Sequence, residues 1–205
     1  MTPPIRIAVA GAGIAPPDDC TAAEEVGRRI AEAGAVLVCG GGTGVMEAAA
    51  RGAVAAGGIT VGLLPGHDAG EANDHIRIPL PTAMGEGRNV LVARSADALI
   101  AIGGEWGTLS EVALARRMDV PVILLRPTLT RHLGLPEATT PADAVVRALE
   151  AAHEARRDAG LDGAADPIAI SEESEQAARH HLPHGTGPAA GAGPGTQRPD
   201  PHSLV

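Results

Sequence analysis

Apolar residues along the chain follow two alternating patterns. Short unbroken apolar runs, "IRIAVAG", "AVLVC", "ITVGLLP", "DALIAI" and "VPVILL", are separated by longer stretches in which apolar residues recur at helical spacing. The runs carry no polar alternation, as expected of strands buried on both faces. The first is predicted over residues 5–10. The stretch "TAAEEVGRRIAEAG" predicts a helix that opens on a capping box of Thr21 and Glu24 and stops at Gly34. Further helices are predicted for "GVMEAAARGAVAAGG", "RNVLVARSA", "GTLSEVALARRMD" and "TPADAVVRALEAAHEARRDAG", the last with Thr140 as cap and Pro141 in its first turn. The segment "DHIRIPLPTAMGEG" is irregular, with room for a short edge strand, where proline is tolerated.

Strands that alternate with helices predict an α/β fold: a doubly wound, mostly parallel, Rossmann-like sheet with helices on both faces. That domain is expected over residues 1–159. Residues 160–205 include "HGTGPAAGAGPGTQRPDPHS" and show no apolar period, so a Gly/Pro-rich disordered tail is expected there. His180, His181 and His184 fall in this tail, and histidines in such a segment seldom form a tight metal site, so no metal is expected.

Composition narrows the function. The 205 residues are 44% hydrophobic, which suits a core, and that core must be aliphatic, because Trp106 stands alone and there is no Phe or Tyr. The net charge of −9 weighs against a nucleic acid partner. It does not weigh against one small phosphorylated ligand, which needs only local donors. Cys20 and Cys39 form neither a disulfide framework nor a metal-type spacing. The start "MTPPIRIAVAGAG" lacks a signal-peptide pattern, and no apolar run reaches membrane-spanning length. A soluble, cytoplasmic protein without a membrane partner is the expectation.

Glycine collects at the carboxyl ends of three predicted strands: Gly11 and Gly13, then Gly40, Gly41, Gly42, Thr43 and Gly44, then Gly103, Gly104, Gly107 and Thr108. Ligands of open α/β sheets bind at these ends, and each loop leads into a helix N-terminus, where free N–H groups favour an anion. Tight strand-to-helix turns also use glycine for purely structural reasons. A dinucleotide fits poorly: Pro16 stands where the third glycine of G-x-G-x-x-G belongs, and no acidic residue ends the second strand. A P-loop is excluded in a chain without lysine. Thr108 and Glu111 have capping-box spacing, so both have a structural reading. Arg88 opens a helix after an irregular segment; with Glu111 in the same pocket it would clamp a phosphate and activate water. His67 and His75 lie in the irregular segment as solvated residues or ligand contacts.

These residues resemble the Lonely Guy (LOG) superfamily and its relatives, including the molybdenum-cofactor carrier proteins, over roughly residues 5–158. "CGGGTGVMEAAARGAVAAGGITVGLLP" resembles the first glycine motif and its helix, and "GGEWGTLSE" the signature P-G-G-x-G-T-x-x-E. Arg88 precedes Glu111 by 23 positions (111 − 88), which matches the family's interval between its arginine and glutamate. The signature's proline falls on Gly103 and its second glycine on Glu105; Asn89 follows the arginine where the family usually has lysine, and "MGEG" replaces a Met-His-Glu approach. "GEGRN" and the relaxed signature are more similar to the carrier branch. The resemblance implies a homodimer. It also implies one of two activities. A carrier or sensor would bind a nucleotide or molybdopterin-like phosphorylated ligand on the glycine loops. A phosphoribohydrolase would release base and ribose 5-phosphate from a nucleoside 5′-monophosphate, with Arg88 and Glu111 catalytic. A third possibility is an interaction module like the distantly similar DNA-processing proteins; the charge and the lack of stacking aromatics argue against strand binding.

Overall fold

Residues 3–161 are described by the computed structural model. Seven strands, β1 (Arg6–Gly11), β2 (Val36–Cys39), β3 (Thr60–Leu64), β4 (Ile78–Pro81), β5 (Ala98–Ile102), β6 (Val122–Leu125) and β7 (Glu137–Ala138), form one sheet. Its order is β4-β3-β2-β1-β5-β6-β7, and every pairing is parallel. The helices are α1 (Pro17–Glu32), α2 (Val45–Ala55), α3 (Asn89–Arg94), α4 (Trp106–Arg117) and α5 (Pro141–Asp158). The α/β architecture is the one the apolar pattern predicts. The short β7 was not legible in that pattern. The expected tail lies outside the described residues from position 162 on, and with it His180, His181 and His184.

Side chains alternate across the sheet and build two cores. Ile7, Val9, Leu37, Cys39, Ile100 and Ile102 face α1, α2 and α5. Ala8, Ala10, Val38, Leu99 and Ala101 face α3 and α4. Each fully buried Leu, Ile or Val contributes roughly 1.5–3 kcal/mol. The abundance of alanine has a geometric use, since α1 and α2 meet backbone to backbone. A Cβ on Gly27 would stand 1.8 Å from the Ala49 carbonyl oxygen, and one on Gly52 would stand 1.9 Å from that of Glu24.

Two expected helix starts are corrected. α1 begins at Pro17, four residues before Thr21, because Pro17 suits a first turn and Asp18 and Asp19 complement the dipole there. Thr21 therefore caps nothing: its hydroxyl donates to the Pro17 carbonyl (2.9 Å), and Glu24 pairs with Arg51 across the α1–α2 contact (2.8 Å). α4 begins at Trp106, so Thr108 and Glu111 do not form a capping box either. The other end signals hold. Gly34 takes φ +73° just past α1, and the Thr140 hydroxyl accepts from the Asp143 N–H (3.1 Å). β4 is one edge of the sheet and β7 the other. Pro79 and Pro81 leave the outer side of β4 short of donors, which guards against further strand pairing.

From β1 the chain builds outward to β4, then returns to place β5 on the other side of β1. The switch point lies between β1 and β5, and the crevice at their carboxyl ends is where such sheets accept ligands.

Candidate functional site

A cleft of about 240 Å³ opens at this switch point. Gly11, Ala12 and Gly13 form one wall, Glu105, Gly107, Thr108 and Glu111 a second, and Glu86, Arg88, Asn89 and Met46 complete it. Three of the chain's separate sequence signals thus meet: the loop after β1, the loop after β5, and the arginine before α3. The residues of the second glycine loop, Gly40, Gly41, Gly42, Thr43 and Gly44, do not line the cleft; that loop touches the residues that do.

That second loop is shaped by close approach. Gly44 has φ +65°, and a Cβ there would lie 2.4 Å from the Ala12 carbonyl oxygen. The Thr43 hydroxyl donates to the Gly13 carbonyl (2.8 Å), and the Val45 N–H to that of Ala12 (3.1 Å), so the first two loops are tied together. Gly40 carries the Arg88 guanidinium: a Cβ on it would fall 2.0 Å from Nη1. Asn73, which sequence reasoning missed, pins the loop from the other side. Its amide donates to the carbonyls of Gly41 (3.1 Å) and Gly42 (2.7 Å), while its own backbone N–H also reaches Gly41 (2.9 Å). No local pattern marks an asparagine in an irregular segment for this work; only the fold brings it across 31 or 32 positions. His67 and His75 do not line the cleft, and the His75 carbonyl accepts from the Thr60 hydroxyl (2.6 Å). Gly103 and Gly104, with φ +58° and +111°, make the turn after β5 and stand behind the lining residues.

Arg88 ends a 3-10 turn (Gly85–Arg88) that runs straight into α3, and it is 9% exposed. Its Nη1 lies 3.8 Å from Glu111 Oε1, and neither Nη1 nor Nε has a hydrogen-bond partner among the described residues. The Thr108 hydroxyl, 2% exposed, is likewise unpartnered. Buried donors without partners are costly, and a cleft is where that cost has a use. α4 begins above them with no side-chain cap, so the free N–H groups of its first turn face the same space. The first turn of α1, by contrast, holds Pro17 and two acidic residues, Asp18 and Asp19, whose charge disfavours an anion there.

Carboxylates temper the anion site. Burial pushes the Glu111 carboxyl up to about 7; Arg88 pulls it down, and the nearby Glu86 pushes it up further. Glu105, at the N-cap of α4, is exposed at the cleft wall. Trp106 beside it is 76% exposed, so it does not cover the core. Beneath the cleft the Cys39 thiol is buried and held up to about 11 by desolvation, which keeps it protonated and inert. Among the described residues, no group of three or more His, Cys, Asp or Glu is placed to hold a metal ion, and no helix is long and apolar enough to cross a membrane.

The chain is similar to a curated sequence and to solved structures. An uncharacterized protein of Archaeoglobus fulgidus is 42% identical over 141 residues, 69% of this chain and 92% of that one. The molybdenum cofactor binding protein of the phototrophic bacterium Rippkaea orientalis superposes with a TM-score of 0.70 at 36% identity, over 73% of this chain and 98% of that one. The molybdenum cofactor carrier protein of Chlamydomonas reinhardtii superposes with a TM-score of 0.67 at 34% identity, over the same shares. The model of the SLOG cluster4 family matches residues 4–154, and the chain belongs to that family.

Proposed function

We propose that this protein binds a small phosphorylated ligand, a nucleotide or a molybdopterin-type molecule, in the cleft between β1 and β5 and carries or senses it without cutting it. The observation that carries this reading is the set of buried, unpartnered donors on Arg88 and Thr108 beneath the uncapped start of α4. A phosphate seated there would accept from Thr108, from Arg88 and from the first-turn N–H groups of α4 together. Gly11, Gly13, Gly41, Gly42, Thr43 and Gly44 would hold the ligand's remainder or shape the wall against which it rests. The two structural relatives named for the molybdenum cofactor support a pterin-type ligand.

The ion balance favours holding over cutting. Among the described residues, Arg88 is the one cationic side chain lining the cleft, against the carboxyl groups of Glu86, Glu105 and Glu111. Glu105 occupies a position that is glycine in the LOG signature, at the helix start where the phosphate would bind. A cytoplasmic location and a homodimer fit the same reading.

One observation favours the second reading, a phosphoribohydrolase. Arg88 and Glu111 do meet, and a carboxyl near 7 suits proton transfer at neutral pH. Glu111 would then orient a water that adds to the ribose C1′ as the bond to the base breaks, the base leaving with the proton.

The test uses a phosphorylated pterin and a panel of nucleoside 5′-monophosphates, with binding read by calorimetry and free base by chromatography, for the parent and Glu111→Gln. Saturable binding with no base released supports a carrier. Base released by the parent and not by the variant supports the hydrolase. Binding of none of them contradicts both.

A further inference from the structure

The turn that delivers the α4 N-terminus is braced from outside the cleft. Arg126 follows β6 with φ +52°, a conformation that an arginine adopts only at a cost. That backbone turn aims its side chain back over α1. Nε donates to Asp19 Oδ1 at 2.6 Å, and Nη2 reaches Asp18 Oδ2 at 3.3 Å. Asp19 is buried, and its other oxygen packs on Gly103: a Cβ there would lie 2.3 Å from Oδ2. Two residues beyond Arg126, the Thr128 hydroxyl donates to the Gly104 carbonyl. The loop after β6 and the first turn of α1 therefore grip the Gly103–Gly104 turn from two directions, and neither grips through a cleft-lining residue.

We infer that Asp19 and Arg126 are positioning residues for the ligand site, fixing the turn at Gly103–Gly104 and hence the direction in which the first N–H groups of α4 point. The inference rests on the binding function proposed above. An anion held by several backbone N–H groups is sensitive to their aim, because each hydrogen bond weakens steeply with misalignment. Asp19 is spent on this strut: its carboxylate is neutralised by Arg126 and wedged against Gly103, so it is no candidate for ligand chemistry. The strain at Arg126 has a purpose in the same account, since an arginine with ordinary φ would send its guanidinium elsewhere.

Arg126→Gln, Asp19→Asn and the double variant test the strut. Arg126→Gln keeps a side chain at the strained position, so the backbone cost is retained while the ion pair is lost. The first readout is amide hydrogen exchange over residues 103–108 in the protein without ligand. Each single variant is expected to speed exchange there by about fivefold, with no comparable change in β1 or α5, and the double variant is expected to be no faster than the singles. Arg126→Lys should recover part of the protection. The second readout is the calorimetric affinity for GMP, expected to fall about fivefold in the single variants and not further in the double. Unchanged exchange at 103–108, or acceleration spread evenly over the whole chain, would overturn the strut. Faster local exchange with undiminished GMP affinity would overturn its role in binding. If the parent binds neither GMP nor the other probes, the proposed function fails, and the exchange data alone then decide whether the strut orders the turn.

Discussion

The Arg88 guanidinium and the Glu111 carboxyl face each other at 3.8 Å without a hydrogen bond between them, both buried in one cleft. At that separation the pair is attractive but unfinished, and the gap leaves donors for a third party. Replacing Arg88 should therefore separate folding from binding. Arg88→Met removes donors that go unpaired but leaves the buried Glu111 carboxyl without its counter-charge. It is therefore expected to fold with a melting temperature close to the parent's below about pH 7, where Glu111 is protonated, and to lose stability above it. Its affinity for a phosphorylated ligand should drop by about a hundredfold, the loss of one buried charge-assisted contact. Thermal denaturation and calorimetry of the same sample check both halves.

Gly40 offers a sharper version. A methyl group there would meet Arg88 Nη1 at 2.0 Å, and the far end of an arginine can swing away. Gly40→Ala should thus cost little stability, about 1 kcal/mol or less. It should still reduce ligand affinity at least tenfold, because the guanidinium leaves its seat. Loss of folding would show that the seat is rigid; undiminished affinity would show that Arg88 does not act from it.

The Glu111 carboxyl gives a pH dependence of known sign. Its folded value, about 7, lies above the ordinary 4.5. Folding therefore favours its protonated form, and the stability this contributes is complete below about 4.5 and lost as pH rises through about 7. Glu111→Gln should be less sensitive to pH across that window, with the two proteins diverging by on the order of 1–3 kcal/mol between pH 5 and 8. Arg88 and Glu86 face the same group and remain in both proteins, so the difference isolates Glu111. Parallel stability curves would contradict the assignment. A bound phosphate should extend the protonated range upward, so affinity should weaken as pH rises past 7.

Glu105→Gly removes a carboxylate from the start of α4. Two opposite effects are expected: a slight loss of stability, about 0.3–1 kcal/mol, because an acidic group at a helix N-terminus is favourable, and a gain of several-fold in phosphate affinity. The gain should shrink at high salt, since Glu105 is exposed. Unchanged affinity at low ionic strength would show that Glu105 points away from the anion seat.

The fold was legible because parallel strands buried on both faces leave unbroken apolar runs, as β5 does in Ala98–Ile102. The arginine–glutamate pair was legible through a family interval, and the glycine loops through composition. Helix starts were less so. Thr21 and Thr108 both carried capping-box spacing and neither caps, because Pro17 and the Gly103–Gly104 turn begin their helices earlier. The supports of the site were not legible at all. Asn73 and the Asp19–Arg126 strut act across 31 to 107 positions, and no local period encodes such distances.

The most direct test of the central claim is a calorimetric titration of a phosphorylated pterin into the parent protein and into Arg88→Met, at pH 6.5 and low salt. The parent is expected to bind saturably, and the folded variant about a hundredfold more weakly. Equal affinity in the two proteins would contradict the claim, because the ligand would then lie somewhere other than the cleft between β1 and β5.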